Sequence, residues 1–136
     1  MKKSIVFLCT GNSCRSQMAE GFFRHLWGQS FNVYSAGITK HGMNERAVKV
    51  MRERGVDLSS HYSKTIEDLP QVNFDFVVTV CDSAKESCPY LKGNKIIHIG
   101  FQDPPTLTKE MKDEEEILNV YRRIRDEIEE ALKKIS

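Results

Sequence analysis

Short apolar runs alternate with longer amphipathic stretches along the 136 residues of the chain. A short apolar run bounded by turn residues is typical of a buried strand, whereas apolar positions at three- and four-residue steps are typical of a helix that packs one side. The alternation predicts a three-layer α/β fold, in which a four-stranded parallel sheet is flanked by helices. The predicted strands are residues 4–8, 32–34, 74–80 and 95–99, and the predicted helices are residues 17–27, 45–54 and 117–135.

The predicted helices carry boundary signals. Asn44 is a suitable N-cap for the second helix, and Gly55 stands at its C-terminal stop. The acidic run at residues 113–116 suits the N-terminus of the last helix. The apolar face predicted for the first helix consists of Met18, Phe22, Phe23 and Leu26.

Composition excludes several classes of function. Lysine and arginine total 20 against 19 acidic residues, so the net charge of +1 gives no electrostatic footprint for nucleic acid. No segment has the pattern of a signal peptide or a membrane span, so a cytoplasmic protein with no membrane partner is expected. The protein is also expected to be a monomer. Thiols stay reduced in that compartment, where cysteines are more often catalytic than structural. The four histidines share no metal-ligand spacing and are expected to be surface or core residues.

Residues 10–14, which separate Cys9 from Arg15, follow the first predicted strand and precede the first predicted helix. Five residues are enough to curl a loop whose N–H groups point inward and bind an anion, next to a helix N-terminus. Gly11 and Asn12 are residue types that tolerate the left-handed backbone of such a curl. The predicted oxyanion-binding residues are Thr10, Gly11, Asn12, Ser13, Cys14 and Arg15.

The same segment carries a nucleophile. Arg15 offers a planar fork for two oxygens of a tetrahedral anion, and Ser16 is placed to donate a hydrogen bond to the Cys9 sulfur. Cys9 is therefore expected to be a thiolate at neutral pH and to act as the nucleophile. The alternative is an ordinary strand-to-helix turn with a buried cysteine.

Two further cysteines, Cys81 and Cys88, have six residues between them and no second pair that would suggest a zinc site. Taken separately, they could be a core cysteine and an incidental loop cysteine. A bond between them requires Cα atoms within roughly 7 Å, so we expect a local rearrangement on oxidation. Cys14 is interpreted as a packing residue.

Asp103 precedes Pro104 and follows the fourth predicted strand. An aspartate before proline is often only a turn residue. At the carboxyl end of a parallel strand it also lies on the ligand side of the sheet, where it could donate a proton to a leaving oxygen. Both interpretations remain open, and general acid is favoured.

The segment from Cys9 to Ser16, with the preceding strand and Asp103-Pro104, resembles the low-molecular-weight protein tyrosine phosphatases. With Cys81 and Cys88 added, the chain is similar to the thioredoxin-coupled arsenate reductases built on that fold, and Gln17 replaces a proline usual in the phosphatases. The resemblance implies a single catalytic domain over residues 1–136. It also implies that Cys9 attacks arsenate, that Asp103 supplies a proton, and that a Cys81–Cys88 disulfide is recycled by thioredoxin. Phosphate and sulfate would compete, and no tightly bound cofactor is expected.

Some reductases of this family bind potassium beside the loop, and the matching positions here are Asn12, Glu20 and Ser35. Lys64 stands where the remaining acidic ligand is expected. A lysine would repel the cation or replace it, which argues against potassium.

Two other functions are open. The first is a low-molecular-weight protein tyrosine phosphatase that forms a phosphoenzyme on Cys9 and needs only Arg15 and Asp103 besides. The residues after Asp103 are Pro104 and Pro105, without the aromatic residue that would receive a phenyl ring, which weakens this interpretation. The second is a non-catalytic redox or oxyanion sensor that uses the same disulfide change.

Overall fold

The computed structural model describes residues 2–82 and 90–135. Within these ranges the strands are β1 (Lys3–Cys9), β2 (Phe31–Gly37), β3 (Phe76–Thr79) and β4 (Lys95–His98). The helices are α1 (Arg15–Trp27), α2 (Glu45–Glu53), α3 (Pro104–Leu107) and α4 (Glu114–Lys133), with a 3-10 turn at Ile66–Asp68. All of the predicted strands and helices are confirmed, whereas the short helix α3 was not predicted.

The sheet is parallel throughout, with the strand order β2-β1-β3-β4. Strand β1 is central, and Ile5 pairs with Val33 on one side and with Phe76 on the other. A strand covered on both faces reads as a continuous apolar run, as residues 5–8 do. The predicted four-stranded parallel sheet flanked by helices is confirmed.

Side chains of β1 alternate between two apolar clusters. Ile5, Phe7 and Cys9 enter the larger cluster, which they share with α1, α2 and α4. Val6 and Leu8 enter a smaller cluster on the opposite face, beside the 3-10 turn. Burying one such side chain contributes about 1.5–3 kcal/mol, so β1 is the strand that anchors the domain.

The predicted caps are present. Asn44 Oδ1 accepts hydrogen bonds from the N–H groups of Arg46 and Ala47, and the carboxylate of Asp113 accepts one from Glu116. Gly55 follows α2 with a φ of 76°, in the left-handed region.

One predicted core residue is wrong. Leu26 is 38% exposed, and its neighbours at residues 24 and 25 are exposed as well. Trp27 instead packs on Phe23, with ring centroids 4.8 Å apart.

The carboxyl ends of the parallel strands meet at one edge of the sheet. Cys9 ends β1, Gly37 ends β2, Cys81 follows β3, and Asp103 follows β4. The sequence-predicted residues in the described ranges therefore collect at the ligand edge. None of the helices in these ranges is long and apolar enough to cross a bilayer.

Candidate active site

The loop of residues 10–14 joins the end of β1 to the start of α1, so Cys9 and Arg15 stand at its two ends. The carbonyl groups of Thr10, Gly11 and Ser13 accept hydrogen bonds of 2.8–3.1 Å from backbone N–H groups of residues 38–44. The Asn12 carbonyl accepts one from the Ser63 hydroxyl at 2.7 Å. Four successive carbonyls are thus bonded to the surrounding chain.

These outward carbonyls fix the direction of the loop amides. In a planar trans peptide the C=O of one residue and the N–H of the next point in opposite directions, and the described chain has no cis peptide. The N–H groups of residues 11–14 therefore point into the loop. Successive inward N–H groups at a helix N-terminus form an anion-binding concavity. The backbone has the geometry that the predicted oxyanion site requires, and binding by residues 10–15 stays a prediction.

The two residues expected to adopt left-handed backbone differ. Asn12 has a φ of 49°, as predicted, whereas Gly11 has no positive φ, so that prediction is wrong for Gly11. Gly11 has a different constraint: a Cβ there would lie 2.2 Å from Nδ1 of His41. His41, expected to be an ordinary surface or core histidine, packs on the outside of the loop.

The Asn12 side chain is fully buried behind the loop, and its orientation is fixed by its partners. Its Oδ1 accepts a hydrogen bond from the backbone N–H of Lys64 at 2.8 Å. A backbone N–H is only a donor, so Nδ2 must face the other way. Nδ2 donates to Ser16 Oγ at 2.8 Å and to Ser35 Oγ at 3.0 Å.

This orientation also fixes the Ser16 hydroxyl. Ser16 Oγ accepts from Asn12, which leaves its own hydrogen free to be donated to the Cys9 sulfur, 2.8 Å away. Cys9 is 2% exposed, and Ser16 is fully buried. A hydroxyl that contacts the sulfur in this buried site holds the Cys9 side chain in place.

Arg15 lies at the ligand edge with its guanidinium between two partners. Nη1 donates to the Phe101 carbonyl at 3.1 Å, and Nη2 lies 3.3 Å from Asp103 Oδ1. Asp103 is the N-cap residue of α3, and its Oδ2 accepts from the Thr106 hydroxyl at 2.6 Å. Both sequence interpretations of Asp103 therefore have a structural basis, since it begins a helical turn and also stands beside Arg15.

Cys81 is fully buried in the same apolar cluster as Cys9 and Cys14. Leu8 pairs with Thr79, so the β1–β3 register places residue 80 beside Cys9 and Cys81 one residue beyond. Cys81 is disulfide-bonded, whereas Cys9 and Cys14 are free. Cys88, the other predicted member of the relay, lies outside the described residues.

Cys14 differs from Cys9 in its electrostatics. Burial raises the pKa of the Cys14 thiol well above its usual value, the nearby charges of Asp103 and Cys9 raise it further, and Arg15 opposes them. Its carbonyl accepts the Met18 N–H in the first turn of α1. A protonated, buried Cys14 agrees with a packing role.

The positions matched with a potassium site lie together behind the loop. Ser35 Oγ accepts from Asn12 and donates to Glu20 Oε1. Both Glu20 oxygens already face cationic side chains: Lys64 Nζ is 4.0 Å from Oε1, and Arg24 Nη2 is 2.6 Å from Oε2. With two cations present, the cluster does not fit a third. Among residues 2–82 and 90–135, no group of three His, Cys, Asp or Glu side chains could hold a metal ion.

From the sequence, Gln17 is only a mark of the reductase branch and His61 is expected to be an ordinary surface or core histidine, so the contacts of both residues behind the loop were missed. Gln17 is fully buried, and its Nε2 donates to Asn12 O, Asn12 Oδ1 and Tyr62 O at 3.0–3.2 Å. Its Oε1 is then left as an acceptor for His61 Nδ1 at 2.9 Å, which fixes the histidine tautomer. Burial lowers the pKa of His61, which keeps the ring neutral. The sequence signal that could have indicated a role for Gln17 at the site was its position directly after Arg15 and Ser16.

Known proteins match this chain over nearly its whole length. A family described as low molecular weight phosphotyrosine protein phosphatase matches residues 4–136. An arsenate reductase of Bacillus licheniformis is 48% identical over 136 residues, covering 99% of this chain and 96% of that protein.

Solved structures agree with the sequence matches. An arsenate reductase of Archaeoglobus fulgidus is 32% identical, with a TM-score of 0.75 over 96% of this chain and 97% of that one. An arsenate reductase in its phosphate-binding state is 27% identical, with a TM-score of 0.76 over 98% and 95% of the two chains. The chain, with Cys9 and Arg15 at the two ends of its oxyanion loop, thus belongs to the low molecular weight phosphotyrosine protein phosphatase family.

Proposed function

We propose that this protein reduces arsenate to arsenite, with Cys9 as the nucleophile and with Cys81 and Cys88 as a disulfide relay recycled by thioredoxin. One observation supports the proposal most directly. Cys9 is a free cysteine that is hydrogen-bonded to Ser16 inside a loop of inward-pointing amides, while Cys81 in the same buried cluster is disulfide-bonded. The arsenate reductases that resemble this chain support the choice of substrate.

The loop supplies the binding site. Arsenate is a tetrahedral oxyanion, so the N–H groups of residues 11–14 and the Arg15 guanidinium would donate hydrogen bonds to its oxygens. Phosphate and sulfate have the same shape and would compete for the same donors. The similarity to a reductase in a phosphate-binding state supports this competition.

The first step joins sulfur to arsenic. The Cys9 thiolate attacks arsenic, an S–As bond forms, and one As–O bond breaks. Asp103 gives a proton to the departing oxygen, which leaves as water. The Ser16 hydroxyl stabilises the thiolate until the attack, and arsenic is still in its +5 state in the resulting adduct.

The second step is the reduction. Cys81 attacks the Cys9 sulfur, an S–S bond forms, and the electron pair of the S–As bond stays on arsenic, which leaves as arsenite. Cys88 then attacks Cys81 and releases Cys9 as a thiolate. Thioredoxin reduces the Cys81–Cys88 disulfide and thereby supplies the two electrons. The combination of free Cys9 and bonded Cys81 supports this final intermediate.

Thioredoxin needs access to this disulfide. Cys81 is fully buried, so we propose a local rearrangement that exposes the bond. We further propose that residues 1–136 act as one catalytic domain with no tightly bound cofactor, in the cytoplasm, where thioredoxin is kept reduced.

Single cysteine substitutions test the relay. Cys81→Ser should release no arsenite, and Cys88→Ser should release about one arsenite per protein molecule and then stop, because each removes one exchange step. Cys14→Ser is the matched control and should turn over repeatedly. The assay measures arsenite released per protein molecule and, for repeated turnover, NADPH consumption with arsenate, thioredoxin and thioredoxin reductase. Repeated turnover by both relay variants would reject the proposal.

A phosphatase remains the second candidate, because Cys9, Arg15 and Asp103 are the residues it needs and all three lie at the ligand edge. The cleft of about 700 Å³ that adjoins the loop at Ser13 has mostly polar and charged residues in its lining, with Gly42, Met43 and Pro105, and its described residues include no Phe, Tyr or Trp. Aryl-phosphate hydrolysis faster than arsenate-dependent thiol oxidation would favour this candidate. Anion binding with a reversible disulfide and no turnover of either substrate would favour a sensor.

A further inference from the structure

We propose that the ammonium group of Lys64 takes the place of a monovalent cation behind the oxyanion loop, so that this protein does not need potassium. The proposal depends on the proposed function only for the effect on turnover. Its main test measures stability and uses no arsenate.

The cluster behind the loop requires positive charge. Glu20 is 5% exposed, and a carboxylate so deeply buried is costly unless cations and hydrogen-bond donors surround it. A chain of hydrogen bonds leads from Glu20 to the nucleophile. The Ser35 hydroxyl donates to Glu20, and the Asn12 amide donates to both Ser35 and Ser16. Ser16 in turn contacts Cys9. Charge balance at Glu20 therefore affects the position of the nucleophile.

The Lys64 ammonium is fixed at this place. Its side chain is 13% exposed, and Nζ lies 4.0 Å from Glu20 Oε1. Nζ also donates to the Tyr62 carbonyl at 2.9 Å and lies 4.5 Å from the centre of the Tyr62 ring. The ammonium is thus surrounded by a carboxylate, a carbonyl oxygen and the face of an aromatic ring, all of which attract a cation.

The Lys64 backbone joins the same cluster. Its N–H donates to Asn12 Oδ1, and its carbonyl accepts the Gly37 N–H at 2.9 Å. Burial lowers the pKa of Lys64, and the charge of Glu20 opposes that effect. The position of Lys64 is therefore fixed twice: its backbone bonds to Asn12 and Gly37, and its ammonium group contacts Glu20 and Tyr62.

A second cation is excluded by repulsion. Potassium at this cluster would lie beside both the Lys64 ammonium and the Arg24 guanidinium, which already occupy the two Glu20 oxygens. Removing the ammonium and adding a carboxylate should create the missing cation site.

Thermal unfolding of three variants tests the proposal. Each is compared in potassium chloride and in tetramethylammonium chloride at equal ionic strength. The wild type and Lys64→Arg should have the same midpoint in both salts. Lys64→Asp should have a lower midpoint that rises saturably with potassium only, since an ion that binds the folded state stabilises it. Lys112→Asp makes the same charge change at an exposed site and should show no potassium effect.

The outcomes separate cleanly. A potassium-specific rise in the wild-type midpoint, or a folded Lys64→Asp that ignores potassium, overturns the proposal. Should Lys64→Asp fail to fold in both salts, Lys64→Met removes the charge alone, and its midpoint should respond to potassium where the wild type does not. The expected salt pattern without arsenate turnover in any variant would reject the proposed function and leave the role of Lys64 intact.

Discussion

Replacing Gln17 tests the hydrogen-bond network behind the loop. Gln17 is fully buried and uses both ends of its amide, with Nε2 on Asn12 and Tyr62 and Oε1 on His61. Gln17→Met keeps the length and approximate volume of the side chain but removes all of its hydrogen bonds. Gln17→Glu keeps the shape and one acceptor but removes the donor.

The magnitude for Gln17→Met follows from the groups left without a partner. The acceptors on Asn12 and Tyr62 each keep a second donor. His61 Nδ1 loses the acceptor that Gln17 provides. A buried donor without a partner costs about 1–3 kcal/mol. Because His61 is only half-buried, water can replace part of the lost bond, and we expect the free energy of unfolding to fall by about 1 kcal/mol.

Gln17→Glu should cost more at neutral pH. Its carboxylate would accept from His61 but would face three acceptor oxygens in a buried site. An uncompensated buried charge of this kind costs about 3–5 kcal/mol. Repulsion and burial would raise the folded-state pKa of the new carboxyl above its ordinary value of about 4.3. The penalty should therefore shrink as the pH falls through that raised pKa, because the protonated acid recovers a donor.

Urea unfolding at two pH values measures both effects, and an unchanged slope with denaturant shows that the same surface is exposed in each variant. The rate of Cys9 alkylation in the folded state reports the position of Ser16 separately. A Gln17→Met variant within about 0.5 kcal/mol of the wild type, or a Gln17→Glu variant unaffected by pH, would refute the argument that this amide orients the loop.

Three further predictions concern the same region. Ser16→Ala should slow alkylation of Cys9 at neutral pH about tenfold, the equivalent of losing one charge-assisted hydrogen bond, with unfolded-protein alkylation as the control. Phosphate should raise the melting temperature of the wild type but not of Gly37→Ala, because a Cβ there would lie 2.6 Å from the backbone oxygen of Thr10 and must displace the loop; an equal rise in both proteins would contradict the loop geometry. His61→Gln should flatten the dependence of stability on pH between about 5 and 7. Burial lowers the folded pKa of His61, so the unfolded chain binds the proton first, and the wild type loses stability as the pH falls below about 6.5.

Local pattern predicted the elements well, because each depends on neighbours within one turn or one strand. The run at residues 5–8 became the central strand, and the spacing from Ile117 to Leu132 became the buried face of α4. The prediction for Leu26 was wrong: near the end of α1 it is Trp27 that packs on Phe23, and helical spacing alone does not tell which of two neighbouring apolar residues will be buried.

In the candidate site, too, features that are local in sequence could be predicted, whereas contacts between distant residues could not. The curl between Cys9 and Arg15 could be predicted, since glycine, asparagine and arginine fall within a short segment with a known physical use. His61 could not, because it reaches Gln17 across 44 residues of sequence. The reason given for Gly11 was wrong for a related reason: its constraint is the ring of His41, which folding brings against the loop.

The contact between Arg15 and Asp103 has a consequence for timing. The guanidinium proposed to bind the oxyanion is also the ion-pair partner of the proposed acid. Under the proposed mechanism, an oxyanion bound by Arg15 would compete with Asp103 for the guanidinium. Binding of the substrate and release of the proton donor would then be coupled, so that Asp103 would become free to donate its proton only when an oxyanion is in the loop.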